Sequence, residues 1–351
     1  MKDLWQYLKE TKKPILLYGM GLGADKIINV CERKGIGIAD FFASDGFVRG
    51  HSFHGKVVLS YSEAKKKYGD FIVLLSFASR LPEVIRLISD IASETELYAP
   101  DVPVSGEELF DMEYYLENRE KFQLARELFA DEISKNVFDD VINYKLTGDI
   151  KYLFNNTTDA DTVYKELLDC EKYKNCGDLG AYNGDSVREF IKYFPNVERI
   201  ISFEPDTKNF AKLKKYAEEN CHEISEAYNY AAWDKSEMQI FNRQSSRNSG
   251  IGGKSHTGKL VEIQCESLDR VLDGRDLDYI KYDVEGAEKQ ALIGSREVIK
   301  RCKPHLLVSA YHRSSDLFEL PMLIRELNPE YKLYLRRFTY IPAWDLNIYG
   351  V

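Results

Sequence analysis

Short apolar runs alternate with helix-like stretches through the first hundred residues of the chain. The runs predict strands at PILLYG (14–19), GIGIADFFAS (35–44), KVVLS (56–60), FIVLLSF (71–77) and TELYAP (95–100). Between them, the spacing of apolar residues predicts helices at 22–34, from about 62 and at 81–92. Strands that alternate with helices are typical of a parallel sheet covered on both faces. We therefore expect a Rossmann-like α/β domain over residues 1–104.

The pattern changes over residues 105–172, where acidic and aromatic residues recur at helical spacing without a strand-like run. This segment predicts a helical linker or cap. From residue 173 the alternation restarts, with strand-like runs KNCGDLG (174–180), RIISFEP (199–205), ISEAYNYAA (224–232), LDYIKYD (277–283), HLLVSAY (305–311), YKLYLRRF (331–338) and LNIYGV (346–351). A turn without a helix joins the last two runs, which predicts an antiparallel hairpin at the end of an otherwise parallel sheet. A second α/β domain is therefore expected over residues 173–351.

A turn that contains two glycines, DLGAYNG (178–184), follows the first strand of this second domain. Asp178 ends the strand, Gly180 and Gly184 lie in the turn, and a helix is expected to follow. The apolar stripe of that helix is formed by Val187, Phe190, Ile191 and Phe194. Glycine lets the backbone approach a ligand, and a helix N-terminus offers unpaired N–H groups. The turn alone suits a phosphate or a carboxylate equally well.

Two acids change this interpretation. Asp178 would repel a pyrophosphate and attract a cationic ligand. Glu204 ends the next strand, twenty residues after Gly184, and an acid at that place commonly binds ribose hydroxyls. S-adenosylmethionine, which has a ribose, an ammonium group and no phosphates, satisfies both acids. The alternative is that Asp178 only caps the helix and that Glu204 is a solvated strand end.

A third pair of acids lies in DYIKYDVEG, where Asp283 and Glu285 follow a strand-like run. Ligands of open α/β sheets bind at the carboxyl ends of the strands. Asp283 and Glu285 are therefore expected to face the same crevice as Asp178 and Glu204.

The order of five segments, DLGAYNGDS, SFEPDTKNFAKL, ESLDRVL, DYIKYDVEGAEKQALIGS and KPHLLVSAYH, resembles the FkbM family of S-adenosylmethionine-dependent methyltransferases over roughly residues 140–351. The resemblance implies a seven-stranded Rossmann-like methyltransferase sheet, parallel except for a terminal antiparallel hairpin. It also implies O-methylation of hydroxyls on sugars or polyketide-type natural products, with S-adenosyl-L-methionine as the methyl donor.

The resemblance also implies roles for individual residues. The matching positions are Asp178, Gly180 and Gly184 in the cofactor loop, Glu204 as the ribose acid, and Asp283, Glu285 and Gly286 in the fourth-strand motif. The family usually has Asn directly after the Ala of the loop. Here Tyr182 follows Ala181, and Asn183 comes one position later. The contacts of Ala181, Tyr182 and Asn183 with the cofactor are therefore less certain than those of the acid and the glycines.

Methyl transfer to a hydroxyl needs the acceptor aligned and its proton removed. Asp283 is the first candidate for the base or for an acid that orients the substrate, and His312 is the second, provided that its pKa is near neutral. Asp234 is expected at the adenine of the cofactor. The paired acids could hold magnesium, but the sequence does not demand a metal. Residues 242–259, rich in Gly, Ser and Lys, suit a loop over the substrate.

An earlier glycine turn, LLYGMGLGADKI (16–27), gives Gly19-x-Gly21-x-x-Ala24, with Asp40 and Asp45 expected at the end of the next strand. This is a weak dinucleotide fingerprint. It supports two alternatives: an NAD(P)-dependent sugar-nucleotide oxidoreductase, or a protein that binds a nucleotide without catalysis. The first domain is interpreted as an accessory domain that either holds a nucleotide or nucleotide sugar or serves only assembly.

Composition narrows the classes of partner. The net charge of −9 disfavours nucleic acid and anionic membrane surfaces. The N-terminus lacks the apolar segment of a secretory signal, and the six cysteines form no C-x-x-C pair. We expect a cytoplasmic protein with free thiols that acts on a small-molecule or glycan hydroxyl. Homo-oligomer formation is left open.

Overall fold

The computed structural model describes residues 2–48, 50–243, 250–251 and 259–351. Its first strands are β1 Ile15–Tyr18, β2 Asp40–Ala43, β3 Ser52–Phe53, β4 Lys56–Val57, β5 Leu59–Ser60, β6 Ile72–Leu75 and β7 Glu96–Tyr98. The helices among and before them are α1 Leu4–Glu10, α2 Leu22–Lys34, α3 Tyr61–Tyr68 and α4 Pro82–Glu94. In the described part of this region, parallel strands form a sheet of order β5-β2-β1-β6-β7. The predicted alternation of strands and helices is confirmed.

The KVVLS run departs from the prediction of one strand. Its first half, β4, pairs with β3 in a short antiparallel hairpin, whereas its second half, β5, joins the main sheet beside β2. The hairpin turns at His54 and Gly55, both of which have positive φ. The chain must therefore leave the hairpin before it can enter the parallel sheet.

Helices follow between residues 99 and 174, with no strand in this described stretch. They are α5 Met112–Glu117, α6 Arg119–Glu127, α7 Glu132–Thr147 and α8 Ala160–Thr162. Helix α7 is anchored by a buried ion pair, in which Nζ of Lys145 lies 2.9 Å from Oδ2 of Asp101. The helical character predicted for 105–172 is confirmed, while the division into domains at 104 and 172 stays a prediction.

A larger sheet occupies the rest of the chain. Its strands and those of a smaller neighbouring sheet are β8 Asn175–Leu179, β9 Arg199–Phe203, β10 Ser225–Tyr228, β11 Ala231–Ala232, β12 Glu237–Arg243, β13 Gly250–Ile251, β14 Lys259–Glu266, β15 Tyr279–Tyr282, β16 His305–Ser309, β17 Leu333–Arg337 and β18 Leu346–Gly350. The helices are α9 Asp185–Tyr193, α10 Thr207–Asn220, α11 Leu268–Leu272, α12 Glu288–Ile293, α13 Arg296–Cys302 and α14 Asp316–Leu327.

The strand order of the larger sheet, within the described ranges, is β10-β9-β8-β15-β16-β18-β17, which makes seven strands. Strands β8, β9, β10, β15 and β16 are parallel, whereas β18 runs antiparallel to both of its neighbours. The predicted parallel sheet with a terminal antiparallel hairpin is therefore confirmed.

The smaller sheet, of order β11-β14-β12-β13, was not expected as a separate unit. The substrate loop predicted at 242–259 falls between its strands. Most of that segment lies outside the described residues, so the prediction stays untested.

Helix α9 buries most of its predicted stripe. Val187, Phe190 and Phe194 are buried, and the rings of Phe190 and Phe194 stack with centroids 5.1 Å apart. Ile191 is 40% exposed, so its inclusion in the stripe was wrong. One step along a helix turns a side chain by about 100°, and Ile191 thus lies at the solvent edge of this short helix.

Backbone contacts near strand ends link the N-terminal region, with its five-stranded sheet, to the region of the seven-stranded sheet. Ser79 and Ile341 exchange two backbone hydrogen bonds, and the N–H of Ser105 donates to the carbonyl of His312 at 2.9 Å. Among the described helices, none is long and apolar enough to cross a membrane.

Candidate active site

A cavity lies at the carboxyl ends of β8, β9, β15 and β16. Acidic groups on its wall come from strand ends, turns and helices around the larger sheet: Asp185, Glu189, Glu204, Asp206, Asp283, Glu285 and Asp345. Arg80 and Val104, from the first 104 residues, also line the cavity. The cavity is therefore built from both parts of the chain.

The turn after β8 packs tightly under this cavity. Gly180 has φ of +91°, and a Cβ there would overlap the carbonyl oxygen of Asp283. The N–H groups of Gly180 and Ala181 both donate to the carbonyl of Phe203, at 3.0 and 2.9 Å. The glycine is thus required by the approach of β15 and by its own backbone angle.

Tyr182 occupies the position that departs from the family pattern. Its φ of +47° is left-handed, a conformation that Asn adopts more readily than Tyr. The chain keeps this conformation with Tyr, and the side chain lines the cavity. Asn183 is not among the lining residues; its carbonyl and side-chain oxygens lie 3.4 Å from Nη1 of Arg188.

Glu204 is buried and held in place by the backbone. Oε2 accepts the N–H of Tyr182 at 2.9 Å, and Oε1 accepts the N–H of Asp206 at 2.8 Å. Burial raises the pKa of Glu204 to about 8, although these two hydrogen bonds oppose the shift. Because Glu204 is 6% exposed, it is not a solvated strand end.

Asp178 lies inside the sheet beside a lysine on the neighbouring strand. The parallel register pairs Asp178 with Lys281, and Nζ of Lys281 lies 3.7 Å from a carboxylate oxygen of Asp178 and of Asp283 alike. Burial raises the pKa of Asp178 to about 7, against the pull of Lys281. Gly184 precedes α9 as its N-cap, so Asp178 does not cap that helix.

Asp283 is the acid that combines cavity access with a low pKa. Its Oδ1 accepts the hydroxyl of Tyr311 at 3.1 Å. Burial opposes ionisation, but Lys281 and His312 hold the pKa of Asp283 below its ordinary value. Asp283 is therefore a carboxylate at neutral pH and can accept a hydrogen bond from a hydroxyl in the cavity.

His312 lies behind this carboxylate and is fully buried. Burial opposes its protonation, yet Glu288, Glu285 and Asp283 raise the pKa of His312 to about 10. The near-neutral pKa expected for His312 is therefore wrong, because three carboxylates surround one ring. His312 is absent from the lining of the cavity.

The structure thus brings only some of the predicted site residues to the cavity wall. Those that line it are Gly180, Tyr182, Glu204, Asp283 and Glu285. Asp178, Ala181 and Gly184 support the wall from behind. Asp234 is exposed, lies beside Gly294 and is not among the lining residues, although Ala231 and Ala232 are.

Several lining residues were not predicted. Lys281 carried a usable signal, because it is a charge inside the apolar run of a central strand. Tyr311, Tyr340 and Trp344 form an aromatic wall, with ring centroids of Trp344 at 6.4 Å from Tyr311 and 5.6 Å from Tyr340. Their meeting depends on the hairpin turn and has no local signal.

At the earlier glycine turn, neighbouring residues of the chain leave no room for a side chain at two of the glycines. A Cβ at Gly19 would overlap the ring of Phe77, and one at Gly23 would overlap the carbonyl oxygen of Ser76. Asp40 begins β2, contrary to its expected place at a strand end, and accepts hydrogen bonds from Lys67 and Tyr68.

Asp45 already receives the N–H and hydroxyl of Ser62, at 2.9 and 2.6 Å. Both acids that a ribose would need at the earlier turn are therefore engaged within the chain. Packing explains Gly19 and Gly23 without a dinucleotide, and the positive φ of +101° explains Gly21.

Comparisons with known proteins point to the larger sheet. The profile of the family described as Methyltransferase FkbM domain matches residues 178–342, a narrower range than the expected 140–351. The crystal structure of methyltransferase FkbM from Methylobacillus flagellatus KT has 23% identity and a TM-score of 0.74, covering 97% of this chain and 90% of that chain. This similarity shows that the two chains share a fold.

Fibrillarin from Aeropyrum pernix, solved with natively bound S-adenosyl-L-methionine, has 12% identity and a TM-score of 0.34. The aligned region covers 52% of this chain and 69% of the fibrillarin chain. No curated protein sequence matches this chain.

Proposed function

Because the profile of the FkbM methyltransferase domain matches residues 178–342, we propose that this chain transfers a methyl group from S-adenosylmethionine to a hydroxyl. The acceptor is a sugar, a glycan or a related natural product. The proposal rests above all on Glu204, whose carboxylate is held at the cavity by two backbone N–H groups.

The residues around the turn after β8 fit a cationic adenosyl ligand. Glu204 is the acceptor for the ribose hydroxyls, since each carboxylate oxygen has a second lone pair beyond its backbone hydrogen bond. Asp185 and Asp206 add negative charge to the same wall. This charge favours an ammonium or sulfonium group and disfavours a pyrophosphate. The ligand supplies an activated methyl group.

Asp283 is the group that receives the hydroxyl proton. Its carboxylate is ionised at neutral pH, lies at the cavity wall and is oriented by the hydroxyl of Tyr311. A base within hydrogen-bond reach of the acceptor contributes roughly 10²–10⁴-fold to such reactions. Proton transfer to Asp283 would leave the acceptor oxygen able to bond to the methyl carbon, with cleavage of the sulfur–methyl bond and release of S-adenosylhomocysteine.

The aromatic wall favours a carbohydrate or another acceptor with an apolar face. Tyr311, Tyr340 and Trp344 present ring surfaces and polar edges at the same cavity. Such side chains combine apolar contact with hydrogen bonding. Arg80, whose Nη1 lies 3.9 Å from Oδ2 of Asp345, adds a cation to the cavity wall and favours an acceptor that also carries an oxygen-rich or anionic group.

Isothermal titration of the full chain with S-adenosylhomocysteine and with NAD(H) tests the proposal. We expect the adenosyl ligand to bind and Glu204→Gln to weaken that binding, with no binding of NAD(H). Binding of NAD(H) alone would instead favour the oxidoreductase alternative. Incorporation of labelled methyl from S-adenosylmethionine into a panel of sugars and nucleotide sugars then identifies the acceptor.

A further inference from the structure

Three carboxylates converge on the ring of His312. Nδ1 lies 2.9 Å from Oε1 of Glu288, and Nε2 lies 3.6 Å from Oδ1 of Asp283 and 3.5 Å from Oε2 of Glu285. One ligand atom each from Asp283, Glu288 and His312 lie within 4.8 Å of one another. Since His312 is 0% and Glu288 1% exposed, this group of atoms is largely shielded from water.

Some of these buried atoms lack hydrogen-bond partners. In the described part of the chain, neither ring nitrogen of His312 makes a hydrogen bond of good geometry, and neither does Oε2 of Glu288. Oε1 of Glu288, by contrast, accepts the N–H groups of Val284 and Gly286 at 2.9 and 3.3 Å. Burial of a polar atom without a hydrogen-bond partner is unfavourable. Buried polar atoms of two residues that lack a well-formed hydrogen bond in one place therefore point to a ligand that would satisfy them.

The chemistry of these donors suits a metal ion. Carboxylates favour Mg²⁺, Ca²⁺ and Mn²⁺, whereas imidazole favours Zn²⁺ and other transition metals. We propose that Asp283, Glu288 and His312 bind one divalent cation at the rear wall of the cavity. The cation would displace the proton that the His312 ring shares with its carboxylates, because only neutral imidazole has a lone pair for a metal. Glu285, 3.5 Å from the ring of His312, lies close enough to add a further carboxylate.

The position of the site gives the cation access to the cavity. Asp283 and Glu285 line the cavity, whereas Glu288 and His312 lie behind it. Three protein ligands on one side leave coordination positions open on the other. The chemical consequence rests on the proposed methyl transfer: a bound cation lowers the pKa of a coordinated hydroxyl, and this is the group that the reaction must deprotonate.

Mn²⁺ binding to the full chain, measured by electron paramagnetic resonance without any adenosyl ligand, tests the site. We expect one equivalent to bind, and Asp283→Asn and His312→Gln each to weaken binding by about 10–100-fold. Asp276→Asn is the matched control, since this exposed acid lies seven residues before Asp283 and outside the cluster. It is expected to leave Mn²⁺ binding unchanged.

Absence of binding at millimolar Mn²⁺ would overturn the proposal and would leave His312 as an imidazolium ion neutralised by its carboxylates. Binding that neither variant weakens would overturn it as well. If His312→Gln does not fold, Asp283→Asn retains the test, because the Asp283 side chain is 32% exposed.

The two proposals fail separately. A chain that binds Mn²⁺ but transfers no methyl group contradicts only the proposed function. A chain that transfers methyl groups equally well with a chelator, and binds no Mn²⁺, contradicts only the metal site.

Discussion

The backbone N–H of Tyr182 donates to Oε2 of Glu204 at 2.9 Å, so the turn after β8 is fastened to the acid that ends β9. A second N–H, from Asp206, holds the other oxygen at 2.8 Å. The carboxylate therefore serves as a structural acceptor for two segments and as the proposed acceptor for a ribose. A substitution at Glu204, compared with the same substitution at an exposed glutamate, therefore tests whether these roles go beyond the effect of a surface charge.

Above pH 8, where Glu204 with its pKa of about 8 is mostly ionised, Glu204→Gln is expected to weaken S-adenosylhomocysteine binding by about ten- to a hundredfold, because a hydrogen bond to a charged acceptor contributes about 1.5–3 kcal/mol. Titration calorimetry measures the change. Glu198→Gln is the control: Glu198 precedes the same strand, is 63% exposed and pairs only with Lys174 among its described ion-pair contacts. Equal losses in both variants would contradict a specific role for Glu204.

The affinity for S-adenosylhomocysteine should depend on pH through Glu204. Its pKa is about 8 in the free protein, so most of the side chain is protonated at pH 7. The ribose hydroxyls of the ligand donate more strongly to the carboxylate form of Glu204 than to its protonated form. Ligand binding therefore lowers the pKa of Glu204 and releases a proton. The affinity should therefore rise between pH 6 and pH 8, by at most about tenfold per pH unit, and level off above.

The readout for this pH dependence is the difference in slope between the wild type and Glu204→Gln, because the amino group of the ligand also titrates. We expect the Gln variant to lose the component that belongs to Glu204. Parallel profiles for the two proteins would show that Glu204 does not change its protonation on binding.

Gly180→Ala should be more destabilising than Gly274→Ala. The two glycines have φ of +91° and +83°, so both alanines carry backbone strain of about 1–2 kcal/mol. Only at Gly180 would the new Cβ also overlap the backbone of Asp283, whereas at Gly274 no heavy atom lies within 4 Å. Free energies of unfolding from urea titration measure the difference. Equal losses would mean that β15 can move away from the turn without cost.

Much of the fold could be predicted because its signals are local. Apolar runs mark β8, β9, β15 and β16, and the missing helix between 338 and 345 marks the terminal hairpin. Acids at strand ends also identified Glu204 and Asp283. These features depend on neighbours in the sequence and on the rule that parallel strands end at one edge.

The rest depends on register and on long-range packing. Lys281 meets Asp178 only because β8 and β15 pair in one particular register. The burial of His312 among carboxylates depends on how the segment after β16 lies against the start of α12, and its raised pKa follows from that packing. No spacing in the sequence reveals either contact.

Lys281→Met should strongly destabilise the protein. Nζ of Lys281 lies 3.7 Å from Asp178 and from Asp283, and Asp178 is 0% exposed. Removal of the cation leaves a buried acid without its compensating charge, which typically costs about 3–5 kcal/mol. Urea titration at pH 8, where Asp178 with its pKa of about 7 is mostly ionised, measures the loss.

Lys174→Met is the matched control for this prediction. Lys174 also pairs with an acid, Glu198, but the two side chains are 56% and 63% exposed. An exposed pair contributes only about 0–1 kcal/mol, since water and salt screen it. A small loss for Lys281→Met, similar to the control, would mean that Asp178 becomes neutral at little cost. In that case Lys281 would position the acids of the cavity without stabilising the sheet.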